Sequence, residues 1–307
     1  MSKNLFLFSG QGSQYVGMAK DFYDNYESAR RVFDIANEIL EYDLAKIVFD
    51  GSEQQLSKTL FSQPAIMACS LCALESAKYS GIGFNGVAGH SLGEYAAMIA
   101  SEMISLEDGF KLIKARAEAM ENAAKNTKGI MCAVIGVSAK NVELACSRTD
   151  GYAVPANYNS PVQTVIAGEE HAVMQTVKIL AAQKAKCIKL NVASAFHTKL
   201  MQPAADEFLK AAEKIKFHLP KIDFFSNVTG SLLEDFSDMP TLLAKHIVSP
   251  VRFVSELSAA DSAGYKNYVE LGPSRVLTGL VKKTLKSKNA VNIENIKTLE
   301  KAVEILK

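Results

Sequence analysis

The sequence predicts a mixed α/β protein on three observations. Short apolar runs ending in turns alternate with longer segments of helical periodicity along most of the chain. One such run leads through Gly89-His90-Ser91-Leu92-Gly93 straight into a helical segment, the strand–turn–helix setting of an exposed nucleophile. From residue 128 to 191 the texture becomes β-α-β-β-α-β, which marks a separate unit inside the chain. A chain of 307 residues can bury one large core with a smaller satellite.

The elements follow in order. Leu5-Phe6-Leu7-Phe8 reads as a strand ending in the loop Ser9-Gly10-Gln11-Gly12-Ser13-Gln14. Tyr15 stands where a dinucleotide loop needs its third glycine, so that reading fails. Helical segments run to about residue 80, with Gln63-Pro64-Ala65 expected to start one of them. The strand Asn85–Ala88 precedes the glycine-flanked serine and a helix from Glu94 to Ala100. Ser105 is a good N-cap, and Asp108 suits the first turn of a helix reaching about Asn122. The inner unit reads as strand Ile130–Val137, helix Ala139–Arg148, strand Tyr152–Ala156, a turn at Asn159-Ser160-Pro161, strand Gln163–Ala167, helix Glu169–Gln183 and strand Cys187–Leu190. That order is the ferredoxin-like arrangement. Helix–strand alternation then resumes, with a helix from Lys199 to Ile215, a strand at Asp223–Val228, a helix near Leu242 and a strand at Tyr268–Leu271.

Composition excludes several classes. With 34 basic against 33 acidic side chains the net charge is +1, without the basic excess of a nucleic-acid surface. Four apolar residues near the N-terminus are too few for a signal-peptide core, and no stretch approaches roughly 18 uncharged apolar residues, so no membrane partner is expected. The 5 cysteines are an odd number suited to a reducing compartment, and a cytoplasmic location is expected. Cys69 and Cys72 form a C-x-x-C pair within an apolar helical run and read as core residues, since zinc would need further ligands. No metal site is expected.

Ser91 is the centre of the chemical argument. Read as a nucleophile, it sits on a sharp turn between strand and helix that lifts the hydroxyl above the sheet, and the following amide, at Leu92, lies at a helix N-terminus where it can stabilise an oxyanion; an ordinary tight turn is the alternative. The chain offers five histidines as its base, His90, His171, His197, His218 and His246. His197 sits in the loop Ala193-Ser194-Ala195-Phe196-His197, where the inner unit ends, and such a loop makes an active-site wall. A satisfied structural histidine is the alternative for each. Arg116 falls within the apolar stripe of Phe110, Ile113, Ala117 and Met120. A buried arginine needs a partner, either a protein carboxylate or a carboxylate on a ligand.

Together these residues resemble the malonyl-CoA:acyl carrier protein transacylase family, related to the acyltransferase domains of fatty acid and polyketide synthases. The resemblance rests on landmarks in family order: Gly10-Gln11-Gly12-Ser13-Gln14, Gln63-Pro64-Ala65, Gly89-His90-Ser91-Leu92-Gly93-Glu94, Arg116, Asn157-x-Asn159-Ser160-Pro161, His197 with Met201, Ser226-Asn227-Val228-Thr229-Gly230, Pro250-Val251 and Glu270-Leu271-Gly272-Pro273. It extends to about residue 285, and the last twenty or so residues add little.

The resemblance implies an α/β-hydrolase-like large domain, residues 1–127 and 192–307, with an inserted ferredoxin-like small domain at 128–191. It implies that Ser91 is acylated, His197 is the base, Gln11 and Leu92 donate oxyanion-hole amides, and Arg116 binds the malonyl carboxylate. Phe196, His246, Asn159 and Gln63 are expected at the substrate. In relatives the carbonyl at position 246 accepts from the base. Coenzyme A thioester and acyl carrier protein are the implied partners, with no cofactor, and a monomer is expected. Ser9 replaces a frequent proline, Ser274 a frequent glycine, and His246 a frequent glutamine. Phe196 before the histidine resembles relatives that select malonyl groups.

The rival reading is a serine esterase or thioesterase, in which an acid lies between serine and histidine in chain order. Glu143, Asp150, Glu169 and Glu170 occupy that interval, and none is an obvious orienter. A non-catalytic docking module is a further alternative, against which serine, base and oxyanion donors all survive.

Overall fold

The computed structural model describes residues 2–306 and contains ten strands. In chain order these are β1 (Lys3–Phe8), β2 (Gly86–Gly89), β3 (Ile130–Ile135), β4 (Ala153–Ser160), β5 (Gln163–Gly168), β6 (Lys186–Lys189), β7 (Asp223–Ser226), β8 (Ser231–Leu232), β9 (Tyr265–Leu271) and β10 (Asn289–Ile293). They form two sheets in a mixed α/β arrangement.

Alternation along β1 sends Phe6 and Phe8 into one apolar cluster and Leu5 and Leu7 into another on the opposite face. A strand covered on both faces belongs inside a parallel sheet. β1 is central in the six-stranded order β10-β9-β1-β2-β7-β8, where all neighbours are parallel except the β7–β8 pair. Register pairs Phe8 with Gly89, so β1 and β2 end side by side and deliver the Gly10 loop and the Ser91 turn to one place.

The second sheet is antiparallel, in the order β4-β5-β3-β6. Cys132, Val134 and Ile166 face the helices Ala139–Ser147 and Glu170–Ala182 through Val142, Ala145, Val173 and Leu180. Met131, Ala133, Val165 and Ala167 point the other way and join the main core.

Several boundaries differ from the sequence reading. Pro64 does not start a helix but lies inside Thr59–Tyr79. Its missing N–H leaves the Leu60 carbonyl without its helical donor, and the Tyr42 hydroxyl donates to that carbonyl at 3.4 Å. This helix alone among the described residues has the length and apolarity of a membrane span, yet 83% of that window is buried within the protein. Cys69 and Cys72 lie on it as buried free thiols. Asn159 is not in a turn: β4 runs through Ser160, and its register shifts between Pro155 and Asn157 and between Tyr158 and Ser160 obscure the alternation. Beyond residue 285, β10 adds the edge strand beside β9 and the helix Ile296–Leu306 covers it.

Candidate active site

β2 ends at Gly89 and the next helix starts at Gly93, so the chain reverses within three residues. Ser91 takes a left-handed backbone, φ 53°, which turns its hydroxyl outward. The flanking glycines are required by contact: a Cβ at Gly89 would stand 2.1 Å from the Gly93 carbonyl carbon, and one at Gly93 would stand 2.2 Å from the Phe8 carbonyl oxygen.

Ser91 Oγ lies 2.7 Å from His197 Nε2. His197 Nδ1 lies 3.1 Å from the carbonyl oxygens of both His246 and Ser249. Carbonyls only accept, so the imidazole proton sits on Nδ1 and the Nε2 lone pair faces the serine hydroxyl. Burial, the nearby charge of Arg116 and the neighbouring His90 hold the His197 pKa down to about 3, while the two carbonyls oppose that shift. The ring is therefore neutral and ready to take a proton.

Arg116 reaches the same hydroxyl from the helix Leu106–Asn126, whose N-terminus Ser105 caps by accepting from the Asp108 amide at 3.0 Å. Arg116 as a whole is 1% exposed. Nη1 donates to Gln63 Oε1 at 2.7 Å and Nη2 to Ser91 Oγ at 3.1 Å, while Nε has no partner. Tyr95 lies under the cation, 5.6 Å from ring centroid to the guanidinium carbon. Among the described residues no carboxylate hydrogen-bonds this arginine, and Glu94 acts on it through its charge alone. Burial lowers its pKa, and the charges of Tyr95 and Glu94 oppose the shift.

Ser91 and His197 open on a cavity of about 340 Å³ whose walls also include Gln11, His90, Asn159 and Phe196, with Arg116 buried behind Ser91. Asn159 Oδ1 lies 2.8 Å from His90 Nε2, which directs that imidazole away from the serine. The Gln11 and Leu92 amides carry no hydrogen bond to other described residues, leaving both donors free beside Ser91. His171 and His218 are exposed and remote from the site.

Two expected substrate contacts are corrected. Gln63 is fully buried behind Arg116 and serves as its hydrogen-bond acceptor. The His246 side chain is also fully buried, with Nε2 3.1 Å from Asn227 Oδ1 and Nδ1 3.4 Å from Glu94 Oε2, while its backbone carbonyl is what faces the site. Likeness to relatives gives a position near the substrate, but not the direction in which the side chain packs.

Sequence reasoning also missed the polar cluster beneath the turn. Burial pushes Glu94 up to about 8, against opposing hydrogen bonds from Asn227 and Ser226 and the charge of Arg116. Burial and the charge of Glu94 raise Glu256 well above the carboxylate range. The only signal for this cluster was the Ser226–Gly230 landmark and the glutamate closing the serine motif. Of the sequence departures, Ser274 has φ 68°, where glycine is at ease, and is held by the Glu294 carboxylate and the Ser13 carbonyl, each at 2.8 Å. Among the described residues no group of 3 or more His, Cys, Asp or Glu side chains is arranged to hold a metal.

The acyl transferase domain family matches residues 5–303, past the limit the sequence reading set. The malonyl CoA-acyl carrier protein transacylase of Bacillus subtilis (strain 168) is 35% identical, over 100% of this chain and 98% of that protein. The crystal structure of the transacylase of that name from Clostridium perfringens superposes with a TM-score of 0.95 at 36% identity, covering 99% of this chain and 97% of the other. A malonyl-transacylase solved with its type II polyketide acyl carrier protein gives a TM-score of 0.94 at 32% identity, covering 99% of this chain and 100% of the other. The chain belongs to the acyl transferase family, among the malonyl CoA-acyl carrier protein transacylases.

Proposed function

We propose that the chain transfers a malonyl group from malonyl-CoA to the phosphopantetheine thiol of acyl carrier protein through a malonyl ester on Ser91. The observation that carries this reading is Arg116: a buried guanidinium, without a carboxylate partner, 3.1 Å from the nucleophilic oxygen. A carboxylate held there lies within reach of a carbonyl attached to Ser91.

In the first half-reaction Ser91 Oγ attacks the thioester carbonyl and its proton passes to His197 Nε2. The Gln11 and Leu92 amides receive the developing oxyanion. Collapse breaks the carbon–sulfur bond, and the departing thiol of coenzyme A takes the proton from His197. In the second half-reaction the carrier thiol gives its proton to His197 and attacks the ester, and Ser91 leaves with that proton. Phe196 narrows the cavity next to the base, and Asn159 holds His90 aside. The groups the reaction needs all belong to this chain, so the reading includes no cofactor.

The partition into a hydrolase-like part, residues 1–127 and 192–307, and a ferredoxin-like insertion, 128–191, belongs to the same proposal. The antiparallel order β4-β5-β3-β6 and the two helices on one face support the second half of it. Five free thiols fit a reducing, cytoplasmic setting. The esterase reading loses support because carbonyls, not a carboxylate, orient His197.

Arg116→Ala tests the proposal. Leaving the malonyl carboxylate without its charge-assisted contact should cost about 2–5 kcal/mol in kcat/KM for malonyl-CoA, with little loss for acetyl-CoA, which has no carboxylate. Equal losses for the two donors would make the arginine structural.

A further inference from the structure

Asn227, in a motif to which the reaction above assigns no role, touches both halves of the Ser91–His197 pair's support. It is fully buried. Its side-chain oxygen accepts from the Ser91 amide at 2.7 Å, and its Nδ2 donates to the Gly89 carbonyl at 2.7 Å and to Glu256 Oε1 at 2.6 Å. Its backbone amide donates to Glu94 Oε1, and its carbonyl accepts from the Arg252 amide at 3.1 Å.

The orientation of this amide follows from its partners. A backbone N–H only donates and a carbonyl only accepts, so Oδ1 faces Ser91 and Nδ2 faces Gly89. His246 Nε2, 3.1 Å from the same Oδ1, must then carry a proton and donate it. His246 Nδ1 lies 3.4 Å from Glu94 Oε2 without a hydrogen bond, so the contact to Asn227 is the one hydrogen bond of this ring among the described residues, and His246 is the residue whose carbonyl accepts from His197 Nδ1.

We propose that Asn227 is a positioning residue for both catalytic partners: it pins the left-handed turn of Ser91 from below and, through the His246 ring, fixes the carbonyl that orients His197. Ser91 sits at φ 53°, a conformation that persists only where its surroundings over-determine it. Asn227 supplies two of those constraints, one on the Ser91 amide and one on the Gly89 carbonyl before it. Without it, a buried N–H and a buried C=O lose their partners at the point where the hydroxyl is aimed. The side-chain oxygen and nitrogen of Asn227 are both taken by buried protein partners beneath the turn, so substrate binding should not depend on it directly.

This inference rests on Ser91 being the acylated residue, and the test separates the two. Single-turnover malonylation of the full chain is followed by intact mass for wild type, Asn227→Ala, Asn227→Asp and Ser91→Ala. A positioning role predicts that Asn227→Ala lowers the acylation rate constant at least about thirtyfold, with the final extent of acylation complete and KM for malonyl-CoA within about threefold. Asn227→Asp keeps the oxygen facing Ser91 but loses the amide donor, and should fall between the two. A merely structural role would lower the extent of acylation and the melting temperature together, leaving the rate constant of the surviving fraction unchanged. That result, or a rate constant within threefold of wild type in Asn227→Ala, overturns the proposal. If the alanine variant does not fold, the aspartate variant decides alone: a loss of at least about tenfold in rate at full extent supports the role, and a smaller loss overturns it. Acylation of Ser91→Ala would instead refute the nucleophile assignment and leave the Asn227 result without its premise.

Discussion

His197 shows how one residue's surroundings set its chemistry. A general base must be neutral when substrate arrives, and here burial and the Arg116 charge both disfavour the cation, holding its pKa to about 3. The acylation kcat/KM should therefore show no acid limb near the ordinary histidine value of about 6.5 and stay level between about pH 7.5 and 5.5. A pH–rate profile of the acylation step checks this, and an inflection near 6.5 would contradict it. Removing the positive neighbour in Arg116→Ala should move the limb upward. The same shift bears on folding with a definite sign. Between about 3 and the unfolded value the unfolded chain binds the proton and the folded one does not, so this group makes stability fall as pH falls through that window.

The helix Leu106–Asn126 shows what an element contributes and how much of it sequence reveals. Its capping serine, acidic first turn and apolar stripe are local signals, and they suffice to place Arg116 on a buried face. Ser105→Ala should cost about 1 kcal/mol of unfolding free energy through the lost cap, measured by denaturant unfolding. Acylation kinetics should not change, because Arg116 is anchored about three turns further on by Gln63 and Tyr95. Other elements were less legible for equally local reasons. Pro64 looked like a helix start because a proline inside a helix needs a repair from outside it, and the Tyr42 hydroxyl is twenty-odd positions earlier. Asn159 looked like part of a turn because irregular register in β4 breaks the alternation that marks a strand. Strand β10 was missed because a short edge strand with asparagines on it lacks a continuous apolar run.

At the scale of the whole molecule the site is assembled from distant stretches of chain. Ser91 arrives on the end of β2, Arg116 on a helix, and His197 in the segment that follows β6. The second sheet is joined to the loop carrying the Ser249 carbonyl by reciprocal backbone bonds, Tyr158 N–H to Val251 at 2.8 Å and Val251 N–H to Ala156 at 2.9 Å. Motif spacing singled out Ser91 and an apolar stripe singled out Arg116, whereas His197 stood out from the other histidines by its loop and was expected as the base from the family resemblance. Motif spacing could not reveal that Asn227 reaches a residue 136 positions away, since only the completed sheet brings β2 and β7 together. The claim that unites these scales is a malonyl ester on Ser91 that waits for a thiol. Intact-mass and peptide mapping after mixing with malonyl-CoA, then with phosphopantetheinylated acyl carrier protein, tests it most directly. The expected result is an adduct on the peptide containing Ser91, absent from Ser91→Ala, stable in buffer and discharged onto the carrier thiol; an adduct that persists in Ser91→Ala, or one lost to water as fast as to the carrier, would contradict it.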